Sequence, residues 1–245
     1  MRIKALLLGV VTTAGIISSN TAQAQHYGQR RHYNSQGRPY YRGPVHLTFG
    51  AGTGLYDGDL GNSPGNNFFG PAFSAGGLYR LTPHLKIGGE FSYVKLGARD
   101  KAVERGLAFT SSNGLGTVFL RFDFLHDESI FAASQADAPT LQVYAQVGAG
   151  LLLYNPHSYF GTERPDNTTI YLQPERNDYP ALAGVVPVGG GFSVLLTDRL
   201  RAGLEANYYI TSTDQLDDIN VRLGGAGLNK DGFATVMLKL DYALR

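Results

Sequence analysis

Apolar and polar residues alternate with a period of two along most of this chain. Successive side chains of a β-strand point to opposite faces, so such alternation predicts strands with one apolar and one polar face. The pattern recurs in eight runs, at 44–54, 69–81, 85–96, 107–125, 140–154, 182–196, 200–211 and 233–244. With 32 glycines, 15 tyrosines and 13 phenylalanines, the composition is typical of tightly bending sheet with an aromatic surface. The sequence therefore predicts an all-β protein of eight strands.

The connections between these runs alternate in length. Those at 82–84 and 197–199 are very short, whereas those at 55–68, 97–106, 155–181 and 212–232 are long. Outer-membrane barrels show this asymmetry, with tight periplasmic turns and long extracellular loops. We expect residues 44–245 to form an eight-stranded antiparallel up-and-down transmembrane barrel. The connection at 126–139 is longer than this rule predicts.

The polar faces of the predicted strands carry charges of both signs. A soluble ligand-carrying barrel points its apolar face inward, whereas a membrane barrel points it at lipid and keeps polar groups inside. Eight strands enclose a lumen only wide enough for side chains to fill. Five cations and four carboxylates are therefore predicted to pair inside the barrel and plug it: Arg80, Lys86, Glu90, Arg121, Asp123, Arg201, Glu205, Lys239 and Asp241. This distribution favours the membrane barrel.

Aromatic residues on the apolar faces lie near strand ends, where the interfacial girdles of a membrane barrel belong. They are Tyr79, Tyr93, Phe122, Phe124, Tyr208 and Tyr242. Because lipid offers backbone groups no hydrogen-bond partner, the first and last strands are predicted to pair and leave no open edge.

The start of the chain has the features of a secretory signal peptide. Arg2 and Lys4 precede an apolar run at 5–17, and Ala22-Gln23-Ala24 supplies the small-residue cleavage pattern. The run is too short for a spanning helix, which needs about 20 apolar residues. We therefore expect cleavage after Ala24 and export to the outer membrane of a Gram-negative cell.

Residues 25–43 read QHYGQRRHYNSQGRPYYRG, which is basic, rich in tyrosine and almost free of aliphatic residues. Such a segment has little to bury in a core and is expected to form a flexible arm. Its arginines and tyrosines are of types that stack on bases, but the formal net charge of the chain is only +1. We expect no nucleic-acid partner.

Four stretches of the chain resemble a known family when taken in order. They are GTGLYDGDLGN at 52–62, RGLAFTSS at 105–112, LQVYAQVGAGLLLYNPHSYF at 141–160 and VVPVGGGFSVLLTDRLRAGLEANYYITSTDQLDDIN at 185–220. They are similar to the small outer-membrane barrels of the Bacteroidota, a family that includes the barrel component of the type IX secretion system. The resemblance implies a monomeric barrel in outer-membrane lipid, with periplasmic or lipoprotein partners of a secretion complex.

The segment TSTDQLDDIN at 211–220 places three aspartates within five positions as the seventh strand enters the last long loop. Asp57 and Asp59 leave the first strand at the same end, so two acidic clusters are expected at the barrel mouth. The predicted extracellular rim comprises Tyr56, Asp57, Asp59, Thr213, Asp214, Asp217 and Asp218. Calcium suits such ligands, but the spacing matches no EF-hand loop, and acids at a loop base often cap turns. We expect no metal and no cofactor.

Three functions are compatible with such a barrel. His46 is the one histidine within a predicted strand, and no acid and nucleophile accompany it at the same end, so we expect no catalytic residues. The favoured function is a non-enzymatic scaffold or docking component, for protein secretion or surface assembly. One alternative is a narrow porin-like transport pore gated by the interior charges. The other is a barrel enzyme that acts on lipid or peptide through His46 or the rim aspartates.

Overall fold

The computed structural model describes residues 32–33, 39–40, 45–58, 60, 63–100, 106–125, 127, 139–174, 176–219 and 230–244. The chain divides into two units, at 1–41 and 42–245. In the first unit, His32–Tyr33 pairs antiparallel with Pro39–Tyr40. The predicted signal peptide and the rest of the predicted arm up to residue 44 lie outside the described residues.

The second unit is a closed barrel of eight antiparallel strands, each paired with its neighbours in the chain. The strands are β1 (His46–Asp57), β2 (Gly70–Arg80), β3 (Leu85–Arg99), β4 (Leu107–Asp123), β5 (Leu141–Phe160), β6 (Ala181–Thr197), β7 (Leu200–Thr211) and β8 (Gly232–Ala243). A short 3-10 helix, Pro64–Asn66, lies between β1 and β2. The barrel closes where β8 pairs with β1, from Gly232 opposite Asp57 to Ala243 opposite His46. The predicted fold class is confirmed.

All eight predicted strands are present, and their ends differ from the prediction by a few residues. The largest difference is in β5, which continues through Pro156 to Phe160 instead of ending at Tyr154. The extra residues pair with the start of β4, from Leu107 opposite Phe160. Strands β3 to β6 are therefore longer than the roughly 9–11 residues that cross a membrane, and one wall of the barrel rises above the others.

The two ends of the barrel differ in their connections. One end carries the connections at 81–84, 124–140 and 198–199 together with the first and last residues of the sheet, and we call it the turn end. The other carries the connections at 58–69, 100–106, 161–180 and 212–231, and we call it the loop end. Among the described residues, no helix is long and apolar enough to cross a membrane.

Apolar side chains cover the outside of the barrel. Phe91 and Leu238 are 69% and 67% exposed, whereas their inward-facing neighbours Glu90 and Lys239 are 6% and 3% exposed. Five of the six predicted girdle aromatics, all except Tyr79, are among the exposed large hydrophobic residues. A soluble protein rarely exposes so continuous an apolar surface, so this is the arrangement of a transmembrane barrel of the outer-membrane type.

The prediction of a polar interior is correct for only part of the lumen. In β3, the inward face begins with Lys86 and Glu90 near the turn end but continues with Val94 and Leu96, which are 0% and 1% exposed. Toward the loop end these residues belong to an apolar cluster that also includes Phe109, Leu152, Tyr154, Tyr209, Phe233 and Met237. The lumen therefore has a charged layer on the turn side and an apolar layer on the loop side.

Inward-facing glycines let neighbouring strands approach closely around this narrow lumen. A Cβ atom added at Gly150 would lie 2.3 Å from the carbonyl oxygen of Gly116 and 2.8 Å from the Cα of Thr117. Gly114 of β4 faces outward, and an added Cβ there would meet no atom within 4 Å.

We expect Gly150→Val to lower the free energy of unfolding by about 1–3 kcal/mol, because the backbone of β4 would have to shift. Gly114→Val is the matched control and should leave stability nearly unchanged. Urea unfolding in phospholipid vesicles, followed by the gel-mobility difference between folded and unfolded barrel, measures both. Equal effects of the two substitutions would contradict the close approach of β4 and β5.

Candidate functional site

Arg121 of β4 lies at the centre of an ion-pair network in the charged layer. Its guanidinium lies 2.7 Å from Glu205 Oε2 on β7 and 3.7 Å from Asp241 Oδ2 on β8. Its Nε donates a hydrogen bond of 3.0 Å to Gln146 Oε1 on β5. Glu205 also lies 3.3 Å from Lys239 Nζ. The network joins β4, β5, β7 and β8, and of these β4 and β8 lie on opposite sides of the lumen.

Two further pairs extend the charged layer. Lys239 Nζ pairs with Glu90 Oε2 of β3 and donates a 2.8 Å hydrogen bond to Ser74 Oγ of β2. Nearer the turn end, Lys86 Nζ lies 2.8 Å from Asp123 Oδ2. The side chains of both pairs are at most 10% exposed, so the pairs are shielded from bulk water and much less screened than surface charges.

The connection between β4 and β5 supplies a residue that the sequence analysis missed. Asp127 Oδ2 lies 2.5 Å from Arg80 Nη2, and its side chain is fully buried. At the other end of the same connection, the Pro139 carbonyl accepts a 2.7 Å hydrogen bond from Arg201 Nη2. Both ends of this connection therefore lie against charged residues that line the turn end of the lumen.

With Asp127 included, the charges of the charged layer balance. The nine predicted interior charges are all buried, at 8% exposure or less. Five cations, Arg80, Lys86, Arg121, Arg201 and Lys239, now face five carboxylates, Glu90, Asp123, Asp127, Glu205 and Asp241. The excess of one positive charge among the nine predicted residues was the signal that a tenth, acidic partner was missing. A neutral set is what a lumen closed to water requires, because an unpaired buried charge costs several kcal/mol.

The loop end is closed by the segment that follows β7. Residues 212–219 turn toward the barrel axis, and Leu216 and Ile219 join the apolar cluster with 0% and 2% exposure. Asp217 and Asp218 are each 1% exposed. We call residues 213–219 the plug segment. The structure places the described residues of the predicted rim at the mouth of the barrel, and half of them are buried rather than facing solvent.

Tyr56 of β1 holds the plug segment through two carboxylates. Its hydroxyl lies 2.8 Å from Asp217 Oδ2 and 2.8 Å from Asp231 Oδ1. The other oxygens accept backbone hydrogen bonds within the loop, from the Ile219 amide to Asp217 and from the Leu216 amide to Asp231. The acids thus cap turns and anchor them to the barrel wall. Sequence reasoning missed Asp231, which immediately precedes β8.

The other predicted rim residues have separate partners. Asp57 Oδ2 accepts a 3.0 Å hydrogen bond from the Tyr208 hydroxyl on β7. Thr213 Oγ1 lies 3.1 Å from the Tyr154 hydroxyl on β5, and Asp214 is half-buried next to it. Asp59 lies outside the described residues.

The loop at 161–180 braces the plug segment from outside. Arg176 Nη1 donates a 3.4 Å hydrogen bond to Gln215 Oε1, and the Tyr179 hydroxyl donates a 3.5 Å bond to the Gln215 carbonyl. Arg176 also pairs with Asp178 at 2.5 Å, and its hydrogen bonds hold the pKa of the Asp178 carboxyl below its usual value. In the same loop, hydrogen bonds from Thr168 lower the pKa of Asp166.

Neither mouth of the barrel assembles a recognisable chemical centre from the described residues. No three His, Asp or Glu side chains in that part of the chain are placed to hold a metal ion. His46, the predicted candidate for an enzymatic alternative, is buried at the turn end and lies within electrostatic reach of Lys86, Arg80 and Arg201. His46 begins β1 and Tyr56 lies near the end of the same strand, so His46 and the plug aspartates are at opposite ends of the barrel.

Comparison with known proteins finds no matching family model and no matching curated protein. Among solved structures, Neisserial surface protein A is 11% identical, with a TM-score of 0.45 over 82% of this chain and 97% of that one. Ail, the attachment invasion locus protein of Yersinia pestis, is 12% identical, with a TM-score of 0.45 over 83% and 99%. The N-terminal β-barrel domain of Pseudomonas aeruginosa OprF is 11% identical, with a TM-score of 0.38 over 82% and 100%. At this level of likeness, the strand pairing of the chain itself carries the conclusion on its fold.

We expect Glu205→Gln to lower the free energy of unfolding by about 3–5 kcal/mol, because it leaves Arg121 and Lys239 buried without a shared carboxylate. Asp178→Asn makes the same chemical change in the exposed pair with Arg176 and should cost less than about 1 kcal/mol. Denaturant unfolding in vesicles gives both values. Equal stability of the two variants would contradict the burial of the Arg121–Glu205–Lys239 network.

Tyr56→Phe removes the hydroxyl that joins Asp217 and Asp231 and should loosen the plug segment by about 1–3 kcal/mol while the strands stay paired. Hydrogen–deuterium exchange should become faster at the amides of Leu216 and Ile219. Tyr208→Phe, which loses an exposed bond to Asp57, is the control and should leave these amides unchanged. Unaltered exchange in Tyr56→Phe would contradict the anchoring role.

Proposed function

We propose that this chain is a non-enzymatic outer-membrane barrel that acts as a scaffold or docking component and not as a pore. The observation that carries the proposal is the filled lumen. The charged layer is neutral and spans the turn side, and the apolar layer with the plug segment occupies the loop side. A barrel that transports solutes would need a continuous polar path, so a lumen of this kind favours a function on the outer surfaces.

The proposed orientation places the turn end in the periplasm and the loop end outside the cell, as in bacterial barrels of this type. The apolar outer face then contacts outer-membrane lipid, and the raised wall of β3 to β6 projects above it. Exposed apolar residues occur on this wall and in the adjoining loop, at Phe160, Ile170 and Tyr171, which are 64%, 85% and 46% exposed. Apolar surface beyond the lipid-facing band favours a protein contact.

The resemblance of four sequence stretches to the small outer-membrane barrels of the Bacteroidota suggests a function for this protein contact. We propose that the partners are components of a complex for protein secretion or surface assembly. A lipoprotein at the cell surface would contact the loop end, and a periplasmic component would contact the turn end. The barrel itself is proposed to be monomeric and to be exported by the signal peptide at 1–24.

The test is purification of the affinity-tagged chain from its native outer membrane in mild detergent, with quantification of every protein that accompanies it. We expect at least one partner in stoichiometric amount. Ile170→Asp with Tyr171→Ser tests the loop end, and Asp198→Ala with Arg199→Ala, at the β6–β7 turn, tests the turn end. We expect one of these variants to lose the partner while the other retains it. Recovery of a lone monomer from the unaltered chain would contradict the docking function.

A further inference from the structure

A second surface lies on the outside of the barrel, where the loop end meets the lipid-facing band. Lys95 and Arg99 are exposed on the outer face of β3, and Arg164 is exposed in the loop at 161–180. Within the described part of the chain, no ion-pair partner lies against any of the three. We call these residues the basic cluster.

The segment between β1 and β2 brings the three cations together. The Gly65 carbonyl accepts a 3.2 Å hydrogen bond from Arg99 Nη2, and the Phe69 carbonyl accepts a 2.9 Å bond from Arg164 Nη2. Gly70 is so close to Lys95 that an added Cβ would lie 3.0 Å from the Lys95 Cβ. Each guanidinium uses one donor of five to hold its position, and within the described residues the remaining donors make no other hydrogen bond.

The neighbouring acids do not cancel this charge. Asp100, next to Arg99, is only 5% exposed, whereas Glu163, next to Arg164, is exposed. Asp166, two residues beyond Arg164, is also exposed. Counting Glu163 and Asp166 against the three cations leaves a local charge of +1 on the exposed surface. A surface of this sign attracts anions.

The position of the cluster indicates where the anion comes from. Phe73 and Tyr93 form an exposed aromatic surface on the turn side of the cluster, at 55% and 43% exposure, and Phe69, at the height of the cluster, is 52% exposed. Aromatic residues of this kind mark the membrane interface, and Lys95 lies only two residues, roughly 7 Å, beyond Tyr93 on the same face of the strand. Basic residues at this height face anionic headgroups.

We propose that the basic cluster binds the phosphate groups of a phosphorylated glycolipid in the outer leaflet. Lys95 and Arg99 are four residues apart on one strand, a separation of roughly 13 Å between Cα atoms, so the cluster is wider than one phosphate group. A glycolipid headgroup carries phosphates on different sugars and matches this spread. The inference rests on the proposed outer-membrane location but not on the proposed protein partner.

The experiment is native mass spectrometry of the full chain folded in detergent, titrated with diphosphorylated lipid A, its dephosphorylated form and phosphatidylglycerol. We expect diphosphorylated lipid A to bind at least fivefold more tightly than the other two. Each cation near an anionic surface contributes about a fivefold change in affinity, so Lys95→Gln with Arg99→Gln should weaken lipid A binding about 25-fold, and Arg164→Gln about fivefold.

Arg199→Gln is the control for Arg164→Gln, since it removes one positive charge at the turn end and should change affinity by less than twofold. A gel-mobility assay confirms that every variant is folded. Equal binding of the dephosphorylated lipid, or equal losses in the control, would overturn the proposal. Phosphatidylglycerol binding as tight as that of lipid A would overturn the assignment to a glycolipid. If the chain prefers lipid A but is purified without a protein partner, the docking function is contradicted and the lipid site is not.

Discussion

Closure of the sheet is the constraint on which the rest of this structure depends. Lipid supplies no hydrogen-bond partner, so each strand must pair on both sides, and the β8–β1 ladder from Gly232 to Ala243 provides the last of these pairings. Closing only eight strands makes the lumen too narrow for anything but side chains. Whatever the inward faces carry must therefore be satisfied inside the barrel, and in the charged layer five cations face five carboxylates.

Each mouth of the barrel is sealed by residues from a connection and not by the strands alone. Asp127 seals the turn end through Arg80, and the plug segment seals the loop end with Leu216 and Ile219. Tyr56 fixes that segment to β1 through carboxylates that lie 161 and 175 positions away in the chain. Among the described residues, the surfaces that remain open to other molecules are the raised wall, the loops and the lipid-facing band.

Much of the fold could be predicted because period-two alternation reports directly which residues share a face of a strand. The position of Lys86 and Glu90 inside, and of Phe91 outside, follows from that pattern alone. The apolar layer could not be predicted in the same way, since Val94 and Leu96 continue the inward face as hydrophobic residues and only the tertiary structure shows what they meet. The end of β5 was missed because Pro156 usually ends or avoids a strand.

The candidate site was harder to predict than the fold. Tyr56 and the aspartates of the plug segment lie at the same mouth of the barrel, since β1 ends and the plug segment begins at that end in a sheet whose strands alternate in direction. Their burial depends on a loop that folds back over the lumen, and no local pattern in TSTDQLDDIN predicts that. Asp127 and Asp231 lie in connections, where periodicity carries no information, although the unbalanced charge of the predicted interior pointed to a missing acid.

The most direct test of the account is the conductance of the purified, folded protein in planar lipid bilayers. Insertion is verified independently by protection of the barrel from protease. The account predicts currents indistinguishable from those of a bilayer without protein, since the neutral charged layer and the plug segment fill the lumen. Stable single-channel currents from the inserted barrel would contradict it and would make the interior charges part of a transport path.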